Sequence, residues 1–159
     1  MNPSLASAAA DAQRALNTGA RSADLYSTLG WFALQSGDVE LAQQQFGHAL
    51  GLSPSDPEAL TGMAQCLRLQ GQLRDAILHC DAAIRANPDY TDAWLERGFV
   101  FASGGSMPSA KACYQKVIDI DPAQAAAHAG IASIMARDGD SAEGRAHAAQ
   151  ALSVDPHNA

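Results

Sequence analysis

The sequence predicts an all-α protein, a stack of about four helix-turn-helix repeats behind an N-terminal capping helix. Three observations carry this. A shift of 34 residues superimposes Gly37 on Gly71, Gly105 and Gly139, and Pro54 on Pro88, Pro122 and Pro156. The same shift carries Ala42 to Ala76, Ala110 and Gly144, so a small residue, a helix stop and a closing proline recur in phase. Within each period, apolar residues recur at helical spacing in two runs, one on each side of the glycine. A fixed period of this length marks units that cannot bury their apolar faces alone and must complete one another's core.

Residues 4–17 read as a helix of good helix formers, with Gly19 as its stop. Stepping the period backward places Ala8, Ala12 and Ala15 where Ala42, Phe46 and Ala49 stand later, so residues 1–22 are expected to form the capping helix. In repeat one, residues 23–56, Ser22 is an N-cap and Asp24 an acid in the first turn. Leu25, Tyr26, Leu29, Phe32 and Ala33 then line a first helix ending at Gly37. Asp38 caps a second helix carrying Val39, Ala42, Phe46, Ala49 and Leu50, and Pro54 closes the unit.

Repeat two, residues 57–90, opens on Asp56–Pro57, a capping residue followed by proline at the first helical position. Its core residues are Leu60, Met63, Ala64 and Leu67, then Leu73, Ala76, Ile77, Cys80, Ala83 and Ile84. Repeat three, residues 91–124, offers Trp94, Gly98, Phe101, Ala110, Tyr114, Val117 and Ile118, with Pro108 in the first turn of its second helix. Repeat four, residues 125–159, drifts: His128, Gly144 and Ala148 stand where larger or better helix-forming residues stood before, and no closing helix follows. The whole is expected to be one continuous domain.

Composition narrows the function. The chain has 159 residues, a 47% hydrophobic fraction rich in alanine, and only 6% aromatics, so each aromatic side chain carries weight. The formal net charge of −7 argues against nucleic acid or an anionic membrane as partner, because both require a basic face. No apolar run is long enough to span a membrane, and the N-terminus lacks the basic and apolar regions of a secretory signal. The three cysteines occupy unlike repeat positions and read as reduced thiols. The expected location is cytoplasmic.

Tyr26, Leu29, Gly30, Ala42, Phe46, Ala49 and Pro54 in repeat one resemble the tetratricopeptide repeat pattern. Trp94, Gly98, Phe101, Ala110, Tyr114, Val117 and Pro122 in repeat three do the same, and the phased copies cover residues 23–158. Two departures are Ala33, in place of a tyrosine, and Arg97, in place of a leucine. The resemblance implies antiparallel helix pairs stacked into a right-handed α-solenoid. It also implies a concave groove, lined by the first helices, that binds a peptide or a helix. Small residues at Gly30, Ala64, Gly98 and Ala132 would let the two helices of each pair approach closely.

Mapped through the resemblance, the groove positions are Asp24, Ser27, Trp31, Leu34 and Gln35, then Glu58, Thr61, Gln65, Arg68 and Leu69. Further along they are Asp92, Leu95, Phe99, Ala102 and Ser103, and in repeat four Ala126, Ala129, Ser133, Ala136 and Arg137. The candidate partner-binding residues are Trp31, Leu34, Gln35, Gln65, Arg68, Leu95, Phe99 and Arg137. Trp31 and Phe99 either anchor a ligand or pack against the next repeat's helix. Asp24, Glu58 and Asp92 either read a basic ligand segment or complement the helix dipole, and the second reading is preferred. Chaperone-binding members of the family hold a ligand's C-terminus in a Lys, Asn and Arg clamp. The matching positions carry Ser27, Trp31, Gly62, Asp92 and Glu96, which argues against a chaperone tail as ligand.

Chemistry is not expected. His79 and Cys80 are neighbours on a helix and point in different directions, and the other histidines lack metal-ligand spacing. No phosphate loop, nucleophile elbow or paired-carboxylate site occurs, so no catalytic residue, cofactor or metal is assigned. The reading is a non-catalytic scaffold for a protein or peptide partner that is apolar in part. The alternatives are the N-terminal interaction or oligomerisation domain of a larger enzyme, of transferase or hydroxylase type, and an array that self-associates through its uncapped C-terminal repeat.

Overall fold

The computed structural model describes residues 3–137 and 142–154, and every described element is an α-helix. In chain order these are α1 (Pro3–Asn17), α2 (Ala23–Gln35), α3 (Val39–Leu52), α4 (Pro57–Leu69) and α5 (Leu73–Ala86). They are followed by α6 (Thr91–Ser103), α7 (Met107–Ile120), α8 (Ala125–Arg137) and α9 (Ala142–Val154). The fold is an all-α helical repeat. Two compact units divide the chain, one up to Pro88 and one from Asp89. The stop expected at Gly139 and the closing proline expected at Pro156 lie outside the described residues.

Local chemistry explains where the helices begin and end. Ser22 caps α2 by accepting from the Leu25 amide at 3.3 Å, and Asp38 caps α3 by accepting from the Leu41 amide at 3.0 Å. Between α2 and α3 the chain reverses at Gly37, whose φ of +81° only a residue without a Cβ adopts cheaply. The Gly37 amide bonds the Leu34 carbonyl at 3.0 Å and the Asp38 amide bonds Ala33 at 2.9 Å, satisfying carbonyls that the helix end would orphan. Asp38 therefore seals one helix and starts the next. The same pair of bonds recurs at Gly71–Gln72 and Gly105–Ser106.

In the first unit, α2 pairs with α3, α4 pairs with α5, and α3 and α4 join the pairs. Its core holds Ala33, Ala42, Phe46, Ala49, Ala59 and Cys66, with Tyr26, Trp31, Leu34, Val39, Leu50 and Met63 packed around it. Phe46 is completely buried, and it sits where two successive first helices have no side chain. A Cβ built on Gly30 would lie 2.7 Å from the Phe46 ring, and one built on Gly62 would lie 2.3 Å from it. The second unit repeats the device around Tyr114, which lies 2.4 Å from a Cβ built on Gly98 and 2.6 Å from one built on Gly130. Its core adds Ala110, Val117, Ala127, Ile131, Ile134 and Met135. Cys80 and Ala110, expected in the core, are both fully buried, and all three cysteines are buried thiols.

Helix α1 lies within residues 1–22, the segment read as a cap. It packs on α2, but its buried residues are Ala9 and Ala12, whereas Ala8 is exposed. By contrast, α3 packs against both α2 and α4, and α7 against both α6 and α8. The main contact of α1 among the described elements is with α2, so the face turned to α2 decides which alanines are covered.

The glycine seats generate a quantitative expectation. Gly62→Ala should lower the free energy of unfolding by about 1–3 kcal/mol, because the ring cannot retreat into a filled core. Phe46→Leu alone should also destabilise, but in the double variant the two losses should add to less than their sum. Urea unfolding of the four proteins measures this, and strict additivity would refute the seat.

Candidate functional site

Three helices of the first unit enclose an open concavity of about 750 Å³. Its lining comprises Trp31, Leu34 and Gln35 from α2, Glu58 and Gln65 from α4, and the N-terminal turns of α1 at Ser4, Leu5 and Ala8. Four of the sequence-mapped partner-binding residues, Trp31, Leu34, Gln35 and Gln65, thus converge on one surface. Arg68, a turn beyond Gln65 on α4, is partly buried and is not among the lining residues.

Trp31 is held at two points. Its ring meets Phe46 edge-on, with centroids 5.2 Å apart and planes at 73°, an arrangement that sets the positive edge of one ring against the negative face of the other. Its indole N–H donates to Glu58 Oε1 at 2.9 Å. Trp31 therefore packs on the core and also lines the concavity. Glu58, in the first turn of α4, has a role beyond the helix dipole because it fixes the indole. The pair is 27 residues apart, the offset that sets the third turn of one first helix beside the first turn of the next. Gln43 and Gln70 bridge α3 and the end of α4 at the same separation, at 2.9 Å.

Two mapped groove positions are not on the surface. Ser27 is 1% exposed and Thr61 2%. Thr61 turns its hydroxyl back to the Pro57 carbonyl at 2.7 Å, whereas the buried Ser27 Oγ makes no hydrogen bond. Gly62 and Glu96, at positions matching the carboxylate clamp, are buried as well.

In the second unit, Phe99 occupies the place in its repeat that Trp31 holds in the first, and packs edge-on to Tyr114 with centroids 5.7 Å apart. Leu95 and Phe99 both flank that unit's core. Arg97 is more enclosed than a solvated arginine. Its guanidinium lies 5.0 Å from the Phe101 ring centre and 5.9 Å from Trp94, and it donates to Cys113 Sγ at 3.6 Å. Arg137 is exposed, with its guanidinium 3.9 Å from Met107 Sδ. Ser133 and Ala136 line a smaller hollow with Ala132, Gly144, Arg145 and Ala148.

Sequence reasoning missed an apolar crevice on the other side of α1, where Ala6, Ala9 and Ala10 face Leu29, Phe32 and Leu41. Alanine side chains on α1 are too short to fill it. Among the described residues no cluster of three or more potential ligands could hold a metal ion, and no helix is long and apolar enough to cross a membrane.

A family profile described as tetratricopeptide repeat matches residues 33–97 and 67–134. The small glutamine-rich tetratricopeptide repeat-containing protein 2 of Mycosarcoma maydis is 27% identical over 101 residues, 64% of this chain and 29% of its own length. The chain spans less than a third of the length of each curated relative it matches. Among solved structures, a thermophilic TPR protein of Thermus thermophilus superposes with a TM-score of 0.81 at 22% identity, covering 92% of this chain and 81% of that one. The first TPR of Spaghetti, bound to an HSP90 peptide, superposes with a TM-score of 0.68 at 20% identity, covering 75% and 94%. At these identities the likeness to the solved structures is one of fold.

The orphaned hydroxyl gives a direct test of where the site ends. Ser27→Ala should stabilise the protein by about 1 kcal/mol, because a buried hydroxyl without a partner carries a desolvation penalty that alanine lacks. Thermal unfolding measures it. A loss of stability would show that the Ser27 hydroxyl has a bonded role.

Proposed function

From the premise that the chain belongs to the tetratricopeptide repeat family, we propose that it is a non-catalytic scaffold that holds a segment of a partner protein against α2 and α4. The observation that carries this reading is Trp31, an aromatic side chain already immobilised by Phe46 and Glu58 yet lining an open concavity. A ring fixed before binding loses little rotamer freedom when a ligand covers it, which is what a binding anchor requires. Leu34 extends the apolar floor, and Gln35 and Gln65 supply amide donors and acceptors for an extended main chain. Arg68, near the end of α4, is a further contact this reading assigns, and Leu95, Phe99 and Arg137 are the candidate contacts of the second unit taken by itself.

Charge suggests the partner's chemistry. Glu58 is the one charged side chain among the described residues lining the concavity, and the chain as a whole carries a net charge of −7. A segment pairing an apolar residue with a nearby lysine or arginine complements that surface; an acidic tail does not. The same scaffold could stand within a larger polypeptide, including an enzyme.

Selection from a peptide-display library against the purified chain should enrich apolar residues flanked by Lys or Arg. For an enriched peptide, Trp31→Ala should weaken binding by roughly tenfold or more. Gln35→Arg, at an exposed position away from the core, should weaken it without altering the unfolding temperature. Leu78→Ala, on α5 and 63% exposed, should change nothing. Enrichment of acidic peptides would overturn the charge assignment, and binding indifferent to both Trp31→Ala and Gln35→Arg would remove the site.

A further inference from the structure

The last helix pair is joined by a polar contact that the repeat pattern does not call for. His128 on α8 is 7% exposed, and its Nδ1 lies 2.8 Å from Nδ1 of His147 on α9. The rings are 5.1 Å apart between centroids and tilted by 35°. On its other side, His128 Nε2 lies 3.0 Å from the Pro122 carbonyl oxygen. A carbonyl only accepts, so Nε2 of His128 carries a proton, and Nδ1 of the neutral ring is the acceptor. His147 must then donate from Nδ1.

This arrangement holds one extra proton and no more. If His128 is protonated, it donates from Nδ1, and His147 accepts by moving its own proton to Nε2. A second proton leaves two N–H groups facing each other at the same short distance, on two cations, with no acceptor between them. The surrounding groups do little to relieve that state. Glu143, one turn before His147 on α9, favours positive charge, but the Lys111 ammonium from α7 lies 3.9 Å from the same carboxylate and opposes it. Desolvation by burial is the main influence on His147 and lowers its pKa below the ordinary 6.5; His128 and Lys111 lower it further, and Glu143 raises it.

Among the described residues, apolar side chains contribute little to the hold on α9. Its buried residues are Gly144 and Ala151, which bring almost no side-chain area, whereas the second helix of repeat one buries Phe46 and that of repeat three buries Tyr114. We propose that His128 and His147 form a proton-limited latch, which docks α9 on α8 at neutral pH and releases it when both rings become charged. Linkage sets the direction. A histidine whose folded pKa is lowered leaves docking at full strength above about 6.5, and docking weakens as the pH falls below that value, because the undocked helix takes up the proton more readily.

Nuclear magnetic resonance of the full chain tests this between about pH 7.5 and about pH 5. The α-carbon shifts of Glu143–Ala151 should lose their helical character as the pH falls, while those of α6 and α7 keep theirs. In His147→Gln the amide can turn either its NH₂ or its oxygen toward His128, so the pH-dependent loss should disappear. An α9 that remains helical at the acidic end in the wild-type chain, or that is lost equally in His147→Gln, would overturn the proposal. If the glutamine variant does not fold, the wild-type imidazole C2 protons decide. Coupled titration, with the last proton bound only as α9 undocks, supports the latch; two independent titrations with α9 helical throughout refute it.

Discussion

An aromatic ring seated between two glycines is the contact on which both units are built. Phe46 fills the space that Gly30 and Gly62 leave on successive first helices, and Tyr114 does so for Gly98 and Gly130. Neither half of the arrangement survives alone. Any larger residue at the glycines would collide with the ring, and without the ring two facing bare patches of backbone would leave a cavity. The seat also explains an alternation within the 34-residue period. At the Phe46 position the chain reads Phe46, Cys80, Tyr114, Ala148, and at the Gly30 position it reads Gly30, Ala64, Gly98, Ala132. Where the second helix brings a large ring, the first helix gives up its Cβ; where it brings a small side chain, the first helix keeps one. The packing unit is therefore a pair of repeats.

The candidate site is an extension of this core. Trp31 rests edge-on against Phe46, and Phe99 rests edge-on against Tyr114 at the equivalent place. A core that immobilises these rings also orients them, so the candidate surface and the stability of each unit rest on the same aromatic pair. The Glu58 carboxylate adds a polar restraint from the next helix pair and leaves an acidic rim on an otherwise neutral lining. Alanine-rich α1 borders the concavity and covers α2 incompletely, because its buried contact rests on Ala9 and Ala12. At the opposite end of the described chain α9 also buries small residues, Gly144 and Ala151, and its His147 meets His128 of α8.

Much of this was legible in the residues. Ser22 and Asp38 announced helix starts, Gly37, Gly71 and Gly105 announced stops, and Phe46, Cys80 and Tyr114 fell on one core position; each is a consequence of local backbone chemistry or of period. The convergence of Trp31, Leu34, Gln35 and Gln65 was legible too, since positions three and four apart share a helix face and the period aligns successive first helices. Ser27 and Thr61 were misplaced because their burial depends on neighbouring helices, which spacing along one helix does not reveal. The His128–His147 pair was not visible because spacing rules look for ligands on one helix, and these rings come from two.

By itself, then, the sequence determined the class of fold, the ends of the helices and the positions that must be small or large. These are one-dimensional properties, set by backbone capping and by a repeat in which every unit meets the same neighbours. The tertiary structure decided which polar residues vanish beneath the next helix, that Trp31 is shared between core and surface, and which two histidines meet. Those outcomes turn on interhelical distances of a few ångströms. Side-chain volumes from two or three helices set such distances together, and no single segment contains them.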